Sequence, residues 1–428
     1  MIEITKSEGI LSKIRSIIGS EGFLLRSRMR KHDFTRQRKL PFCSLIFFLL
    51  NLIRHTLQEE LTCFIREFGE HNHISKSAFC QSRMKLKPEA FIELNDGLVS
   101  SFYSDDELKS WQGFRLVCID GSTLELPRSE EIIKDFGVNT PENNTPIGKI
   151  SVCFDLLNEI ILDSVIAPNR SSEYDLALSH FTKLRPKDLI ILDRGYGARW
   201  LFFMLIQKKV DFVIRLQRIF GPDIDSFWES ESLSTVLNVD KPPDKTKTRL
   251  SKLGLPFHPF SIRLVKVKLK NGETEVLATS LIDEKTHPAE IFKDLYKKRW
   301  GVETNYNHLK NHIEIGNFTG YSTQSIFQDY NASILIANIQ SLMILDAQQK
   351  IDVTKDKRKY HYKVNRNLST GYLKDKIVDI LSSDNPDYYK EIVDLFQVEP
   401  IPIREGRTFP RQSKRYKRKW YMNQRRAL

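Results

Sequence analysis

Three acidic residues in this sequence lie where their carboxylates can act together. Asp120 ends or interrupts the first predicted strand, Asp193 directly follows a short apolar strand, and Glu303 lies in a predicted helix farther along the chain. Carboxylates at the ends of neighbouring strands meet at one edge of a sheet, and a helix covering that edge can supply a third. Three carboxylates around one point repel each other unless a cation lies among them, and Mg²⁺ prefers oxygen ligands. The pattern therefore predicts a divalent-metal centre for phosphodiester chemistry, in which two ions about 4 Å apart activate a hydroxyl group and stabilise the leaving oxygen.

Each of these acids also has an ordinary structural interpretation. Asp120 and Gly121 could form only a hairpin turn, and Asp193 could simply cap the helix that begins near Ala198. Glu303 alone would be an exposed helical acid. Considered singly, the three residues are better explained in these ways, so the argument for chemistry depends on their surroundings.

One face of the helix around Glu303 carries an unusual set of side chains. At about 100° per residue, Tyr296, Arg299, Glu303 and Lys310 share one narrow stripe. An acid flanked by two cations and a phenol suits a metal-bound DNA backbone, with Glu303 on the metal and the cations on phosphate oxygens. A salt-bridged surface pair explains Arg299 and Glu303, which are four residues apart, but it explains all four residues poorly.

These four residues also carry a resemblance to a known family. Two residues separate Tyr296 from Arg299, three separate Arg299 from Glu303, and six separate Glu303 from Lys310. This spacing resembles the signature of the DDE transposases of the IS-four type, which bacterial insertion sequences encode. The resemblance extends to Asp120 in IDGSTLELP, to Asp193 in LDRGYG, to a β-rich insertion before Glu303, and to the N-terminal stretches HDFTRQRKLPF and KLKPEAF. It covers nearly the whole chain.

The resemblance implies an α/β fold with a ribonuclease-H-like mixed-sheet core, in which Asp120, Asp193 and Glu303 bind two Mg²⁺ or Mn²⁺ ions. It implies a DNA transposase of the bacterial cytoplasm that acts as a homodimer on double-stranded DNA. Such an enzyme binds the terminal inverted repeats of its own element, hydrolyses a phosphodiester to free a 3′-hydroxyl, and joins that end to target DNA.

The resemblance also implies which side chains contact DNA. Tyr296, Arg299 and Lys310 would hold DNA near the cleavage point, and Trp300, directly after the motif arginine, would help to hold a flipped base. An aromatic residue from the insertion could stack in the same way. Trp228 is a candidate for that role, although a tryptophan in the core is the simpler interpretation.

Four further residues near the predicted site have two interpretations each. Arg194 could contact backbone phosphate or pair with a carboxylate of the site, and Arg215 could contact phosphate or be exposed on an edge strand. His308 and His312 are spaced for zinc, but the accompanying glutamate of an H-E-x-x-H motif is lacking, so solvated helical histidines are the simpler interpretation.

The composition agrees with a DNA partner. The 428 residues, of which 40% are hydrophobic and 28% charged, predict two or three folded domains. The 66 Lys and Arg residues against 54 Asp and Glu give a formal charge of +12, which favours a polyanionic partner. The strongest apolar run, residues 42–53, is too short to cross a bilayer, so no membrane role is expected. Five widely spaced cysteines without a C-x-x-C pair indicate a reducing cytoplasm, and the N-terminus does not resemble a signal peptide.

The elements that must position the site follow from periodicity. We predict a helical DNA-binding domain over 1–112, a catalytic core over 113–216 and 288–350, a β-rich insertion over 217–287 with a hairpin at Asn271-Gly272, and a helical C-terminal region over 351–428. The core is expected to contain a three-stranded meander followed by alternating helices and strands, with a long helix over 288–314. Residues 404–428 form a tail with ten basic residues and one acid.

Some alternatives remain open at this point. The basic stretch over 26–39 is either a phosphate-contacting surface or a solvated charged face. A structure-selective DNA nuclease on the same fold and a non-catalytic DNA-binding repressor are the two rival functions. Intact Asp120, Asp193 and Glu303 argue against the repressor, and only the family resemblance argues against the nuclease.

Overall fold

The structure is a computed structural model that describes residues 5–36, 38–67, 73–104, 108–140, 143–218, 220–269, 272–353 and 359–404. The C-terminal tail, apart from Arg404, lies outside these residues, and so does Asn271 of the expected hairpin. No helix within the described ranges is long and apolar enough to cross a bilayer. All five cysteines are described, and each carries a free thiol.

The N-terminal part of the chain is helical, as expected. Side-chain caps define its helices: Ser20 accepts a hydrogen bond from the backbone of Phe23, and Ser75 accepts one from Ala78. Within the apolar run at 42–53, residues 42–49 form a buried helix and residues 50–53 lie beyond its end, and the expected break before Pro88 separates two helices. The six helices are α1 (Lys6–Gly19), α2 (Glu21–Ser27), α3 (Phe42–Leu49), α4 (Leu57–Glu67), α5 (Lys76–Arg83) and α6 (Glu89–Phe102).

A mixed sheet forms the centre of the molecule. Its strands are β1 (Arg115–Glu125), β2 (Val138–Thr140), β3 (Asn143–Asp155), β4 (Ile160–Pro168), β5 (Asp188–Leu192), β6 (Asp211–Arg215), β7 (Ser234–Val239), β8 (Phe260–Lys268) and β9 (Thr274–Thr279). The predicted meander is confirmed, because β3 pairs antiparallel with both β1 and β4. β1, β5 and β6 are parallel neighbours. The spatial order β4-β3-β1-β5-β6, with β3 reversed against β1, β5 and β6, is the arrangement of a ribonuclease-H-like sheet.

Helices cover this sheet and connect its strands. The remaining helices are α7 (Glu130–Phe136), α8 (Glu173–Ser179), α9 (Arg199–Gln207), α10 (Pro222–Glu229), α11 (Asp244–Lys252), α12 (Ile291–Lys297), α13 (Trp300–His308), α14 (Thr323–Asp352), α15 (Arg366–Ser382) and α16 (Pro386–Leu395). Two short strands, β10 (His361–Lys363) and β11 (Ile401–Ile403), pair near the end of the described chain.

The long helix α14 joins the N-terminal helices to the sheet. Its buried Asn338 donates to the carbonyl of Ile161 on β4 at 2.8 Å and to Asn95 Oδ1 on α6 at 2.7 Å. Asn338 Oδ1 also accepts the backbone N–H of Ile161 at 2.8 Å. A buried amide with these partners has little unmet hydrogen-bonding capacity, so it fixes the register between helix and sheet.

The segment at 217–287 is continuous with the core sheet. It contains α10, β7, α11, β8 and β9, and β9 pairs antiparallel with β6. β8 and β9 form the expected hairpin, in which Gly272, at a φ of +85°, donates to the carbonyl of Leu269 at 3.1 Å. The domain boundaries drawn from the sequence stay predictions.

The single helix expected at 288–314 is wrong. The chain forms α12 and α13 and then a π-helical turn at Leu309–Ile313. The backbone tightens between them, because Lys298, Arg299 and Gly301 each donate to the carbonyl three residues earlier. Gly301 permits close packing at this point, since a Cβ there would lie 3.1 Å from Leu156 Cδ2.

Candidate active site

Asp120 and Asp193 lie side by side on adjacent parallel strands. The register of β1 with β5 pairs Cys118 with Ile191, and each aspartate lies two residues beyond this pair. Their side chains therefore project from the same face at the same edge of the sheet. β1 does not end at Asp120, which continues in the antiparallel pairing with Val152 of β3. The hairpin interpretation of Asp120 is therefore wrong, and only the pairing with β5 stops before it.

Both aspartates have backbone N–H donors on one carboxylate oxygen. Asp120 Oδ1 accepts the N–H of Gly121 at 2.9 Å, and Asp193 Oδ1 accepts the N–H of Gly195 at 2.7 Å. Asp193 thus caps the 3₁₀ turn Arg194–Tyr196 and not the helix expected near Ala198. A Cβ at Gly195 would lie 3.0 Å from Asp193 Oδ1, so a side chain at this position would crowd the Asp193 carboxylate.

Glu303 lies on α13, and two side chains that follow it, one on α13 and one in the π-helical turn, contact β1. The hydroxyl of Tyr306 donates to the backbone carbonyl of Asp120 at 2.6 Å. The ammonium group of Lys310 donates to Ser122 Oγ at 2.6 Å. These two contacts fix the helix across the strand that carries Asp120 and bring the third predicted acid to the same place.

Arg299 lies between the carboxylates. Its Nη2 is 2.7 Å from Glu303 Oε1, and its Nη1 is 4.0 Å from Asp120 Oδ2. Its guanidinium carbon also lies 5.9 Å from the ring centroid of Tyr296. The Arg299 side chain is only 12% exposed, so its pair with Glu303 is not the solvated surface pair considered as the alternative.

The electrostatics of the site reflect this crowding of acids. Burial raises the pKa of Asp120 to about 6, and the charges of Asp193 and Glu303 add to the rise. The N–H of Gly121 and the guanidinium of Arg299 oppose it. The three carboxylates therefore share one local field, in which additional positive charge would be strongly stabilising.

The donor types at this edge fit a hard divalent cation, because they are carboxylate oxygens that repel one another. Within the described ranges, no three His, Cys, Asp or Glu side chains already stand close enough to hold a metal ion. Glu303 is engaged by Arg299 in this conformation. Arg299 thus occupies Glu303 Oε1, one of the carboxylate oxygens that could bind a cation.

The remaining residues predicted to contact DNA differ in their exposure and partners. Trp300 is 53% exposed and directly follows Arg299. Arg194, next to Asp193, is exposed. Arg215 lies on β6, where its Nη1 is 2.9 Å from Glu275 Oε1. The edge-strand interpretation of Arg215 is wrong, because β9 pairs along the outer side of β6. Trp228 is half-buried against the main core.

The two histidines on α13 and the following turn differ in exposure, because His308 is buried and His312 is half-buried. His308 is buried, and its Nε2 lies 2.9 Å from Gln340 Oε1 on α14. Burial, with smaller effects of Arg366 and His312, lowers the pKa of His308 to about 3. The solvated interpretation of His308 is therefore wrong, since helices that are distant in sequence cover this face. His312 Nδ1 contacts Asn367 Oδ1 at 3.0 Å.

A buried chain of three polar residues was not apparent in the sequence. His180 Nδ1 lies 2.7 Å from Asp163 Oδ2, and its Nε2 lies 3.0 Å from Ser151 Oγ. The connectivity is that of a serine-hydrolase triad. Ser151 is only 1% exposed and His180 is fully buried, so no substrate reaches the hydroxyl and the chain is structural. Tyr306 was also missed, although its position three residues after Glu303 places it near the same helical face.

The basic stretch near the N-terminus lines a cleft. A cavity of about 1010 Å³ lies between this stretch and the end of α5, and a second cavity of about 670 Å³ adjoins it. Both are lined by Arg38 and Lys85, and Met29 N donates to the Lys85 carbonyl at 2.8 Å. We call this feature the N-terminal basic cleft. Its further basic or imidazole side chains are Arg30, His32, Arg36, Lys39 and His73.

Comparison with known proteins identifies the family. Residues 111–339 match the family model described as a transposase DDE domain. The chain is 20% identical over 392 residues to the transposase InsG for insertion sequence element IS4 of Escherichia coli (strain K12), covering 88% of this chain and 86% of that protein. It is 26% identical over 193 residues to the putative transposase InsZ of the same organism, covering 41% and 61% of the two chains.

Among solved structures, the chain is similar to the piggyBac transposase in a cryo-EM synaptic complex with hairpin DNA. The TM-score is 0.46 at 12% identity, and the alignment covers 95% of this chain and 88% of that one. The family match spans more than half of the sequence and includes Asp120, Asp193 and Glu303. The resemblance drawn from the sequence is thereby confirmed. The chain belongs to the DDE transposase family, metal-dependent enzymes that cleave DNA and transfer its strands in DNA transposition.

Proposed function

We propose that this chain is a cut-and-paste transposase that binds the terminal inverted repeats of an insertion sequence and joins the freed 3′-hydroxyl ends to target DNA. The observation that carries the proposal is the meeting of Asp120 and Asp193, at one edge of parallel strands, with Glu303 and Arg299 on a helix tied to β1. Three acids and a cation at one edge suit phosphodiester chemistry better than acyl transfer, since Ser151, whose hydroxyl contacts His180, is buried.

In this proposal Asp120, Asp193 and Glu303 bind two Mg²⁺ or Mn²⁺ ions. Such ions make a hydroxyl group more nucleophilic and stabilise negative charge on the leaving oxygen. Arg299 exchanges its contact with Glu303 for a phosphate oxygen of the DNA backbone. Tyr306 keeps α13 in register with β1 through the Asp120 carbonyl, and it therefore keeps Glu303 opposite the two aspartates.

The side chains around the carboxylates hold the DNA in this proposal. Tyr296 and Lys310 flank the acids, and Lys310 presents a partly buried ammonium group whose pKa is lowered by burial. A partly desolvated cation interacts more strongly with phosphate than a fully hydrated one. Trp300 offers an exposed ring for base stacking, and the exposed Arg194 lies at the mouth of the site. Arg215 contacts phosphate only if it releases Glu275.

We also propose that the enzyme acts as a homodimer on DNA in the bacterial cytoplasm. Each protomer carries one set of carboxylates, and excision of an element requires cuts at two ends. Two protomers that each cut one end supply the two active sites that such a reaction needs. The surplus of basic residues supports binding to double-stranded DNA over long stretches outside the active site.

The test of this function is a cleavage and joining assay on DNA that bears the inverted repeats flanking the gene. With Mg²⁺ we expect cuts that free 3′-hydroxyl ends, followed by joining of those ends to a target plasmid, and we expect EDTA to abolish both. Cutting without joining in either Mg²⁺ or Mn²⁺ would identify a structure-selective nuclease. Binding of the repeats without any cutting would identify a repressor.

The N-terminal basic cleft is expected to supply much of the electrostatic grip on DNA. Replacing Arg38 and Lys85 together by alanine removes two cations that line both cavities. We expect the slope of log binding constant against log salt to become shallower by about 2, because each lost phosphate contact removes about 0.9 of slope. The measurement is a salt titration of DNA binding by fluorescence anisotropy.

The matched control for the cleft is Lys390→Ala, which removes an exposed cation from α16. This control is expected to leave the slope within about 0.5 of wild type, because one exposed cation away from the cleft contributes less than one full phosphate contact. An unchanged slope in the Arg38 and Lys85 double variant would assign the basic stretch to a solvated charged face instead.

A further inference from the structure

Near the carboxylate site, and separate from the N-terminal basic cleft, lies a pocket that is not used by the chemistry described above. Its volume is about 450 Å³, and it lies where α8, α9 and α11 approach one another. It combines three aromatic rings with three cations, which are Tyr174, Trp200, Phe220, Arg199, Lys245 and Arg249. We call it the aromatic pocket.

The rings and cations of the aromatic pocket are arranged around its opening. The ring centroids of Tyr174 and Trp200 are 5.3 Å apart with an interplanar angle of 58°. The guanidinium carbon of Arg249 lies 5.2 Å from the Trp200 ring centroid. The guanidinium carbon of Arg199 lies 5.8 Å from the centroid of Phe220. The rings are half-buried, so each keeps a solvent-facing part.

The cations of the pocket keep the capacity to bind an anion. Arg249 pairs with Asp175 at 2.5 Å and Arg199 with Asp223 at 3.3 Å, but those aspartates are 61% and 51% exposed, so water weakens both pairs. Lys245 lies exposed on α11. A phosphate group entering the pocket would add charge-assisted hydrogen bonds to these side chains.

The pocket is connected to the carboxylate site through the ring of Tyr196. Tyr174 packs edge-on against Tyr196 with a centroid distance of 6.0 Å. Tyr196 belongs to the turn that Asp193 caps, and the charge of Asp120 is among the causes that raise its pKa, after burial. α9, which carries Trp200, begins directly after this turn. A DNA strand whose phosphate lies at the carboxylates therefore passes close to the pocket.

We propose that the aromatic pocket binds an unpaired nucleotide of the DNA strand that is cut, with its base against the rings and its phosphate near the cations. This rests on the proposed function, because that function brings a DNA strand to this edge. A paired base presents only its edges to a protein, whereas an aromatic pocket needs an exposed base face. Stacking is tolerant of base identity, so the pocket selects an unpaired strand and not a sequence. It is separate from the contact expected of Trp300.

The test compares three DNA substrates in the full-length protein, without divalent metal so that no cutting occurs. One duplex has a short unpaired tail at a 3′ end, the second has the same tail with abasic units, and the third is blunt. Wild type is expected to bind the first about tenfold more tightly than the second, since base–aromatic stacking is typically worth about one decade in affinity.

Variants assign this preference to the pocket. Trp200→Ala is expected to bind the tailed and abasic-tailed duplexes equally, while its affinity for blunt duplex stays at the wild-type value. Trp200→Phe is expected to keep a preference of about threefold, because a smaller ring still stacks. Lys245→Ala changes an exposed side chain, so we expect the variant to fold as wild type does. It is expected to weaken binding of both tailed duplexes by about threefold.

The matched control is Tyr360→Ala, which removes an exposed ring that also lies between cations, at 5.5 Å from Lys359 Nζ and 5.9 Å from the Arg404 guanidinium carbon. It is expected to behave as wild type. The proposal is overturned if Trp200→Ala still prefers the tailed duplex over the abasic-tailed duplex. It is also overturned if Trp200→Phe keeps the full wild-type preference and Lys245→Ala binds both tailed duplexes as tightly as wild type. Trp200-dependent binding of a free nucleoside monophosphate, with no preference between the two tails, also overturns it. Failure of wild type to cut repeat DNA with Mg²⁺ would instead contradict the proposed function.

Discussion

Replacing Glu303 by glutamine is expected to lower the rate of DNA cleavage by about 10³-fold or more while DNA binding stays near wild type. Glutamine has the same shape, and its amide oxygen can still accept the hydrogen bond from Arg299. What is lost is the negative charge that would bind a divalent ion opposite Asp120 and Asp193. The measurement is single-turnover cleavage of repeat DNA at saturating enzyme, with binding followed in parallel by anisotropy.

Glu314→Gln is the matched control for this substitution. Glu314 follows the π-helical turn after α13, and its carboxylate pairs with Arg54 Nη1 at 2.5 Å. Like Glu303, it is an acid that pairs with an arginine. It lies close to Glu303 in sequence but is not one of the three carboxylates. We expect its cleavage rate to stay within about twofold of wild type, in keeping with the small contribution of exposed ion pairs. Cleavage that persists in Glu303→Gln would remove Glu303 from the proposed site.

Replacing Arg83 by alanine is expected to lower the free energy of unfolding by about 3–5 kcal/mol, because it leaves a charged partner buried and unpaired. The Arg83 side chain is only 2% exposed, and its Nη2 lies 2.8 Å from Asp329 Oδ1 on α14. It also donates to Gln328 Oε1 at 2.8 Å and to the carbonyl of Ser325 at 3.2 Å. These bonds join α5 to α14, so the measurement is the urea-unfolding midpoint of the whole chain.

Two further variants make this stability prediction specific. Arg26→Ala breaks a surface pair with Glu93, in which the two side chains are 60% and 36% exposed, and should leave the urea-unfolding midpoint close to that of wild type. Changing Arg83 to methionine and Asp329 to leucine together should recover most of the loss, since no buried charge then lacks a partner. If Arg83→Ala unfolded at the same urea concentration as Arg26→Ala, the buried pair would contribute no more than a surface pair.

The candidate site residues could be grouped from the sequence because they lie close to one another in sequence or near the point where two parallel strands stop pairing. Tyr296, Arg299 and Glu303 belong to one stretch of helix, so an angular argument about a single helix brings them together. Asp193 follows an apolar strand that is buried on both faces, a pattern with few other interpretations. β1 continues past Asp120, but its parallel pairing with β5 stops at Cys118, so the end of this parallel pairing carries both aspartates.

Other features depend on contacts that no local pattern contains. The break between α12 and α13 lies where Gly301 packs closely on Leu156, which belongs to a different part of the chain. The burial of His308 arises because α14 and α15 come to lie on its face. Periodicity identified β9 as a strand but could not show that it pairs with β6, because strand neighbours are set by tertiary structure.

The hydrogen bond from Tyr306 to the main chain of Asp120 supports the fold without using the Asp120 side chain. A substitution at position 120 can therefore change the chemistry of the site while the fold is kept. Any residue at position 120 offers the same backbone carbonyl, so a mutated copy keeps its helix attached to its sheet. The raised pKa of Asp120 means that, without a cation, the charged carboxylate lowers the stability of the folded chain at neutral pH. Under the proposed function, a neutral residue at position 120 would stop DNA cleavage and would also remove this unfavourable charge. Single substitutions could then turn a copy of such a gene into a stable, inactive DNA-binding protein, which would compete with the active enzyme for DNA.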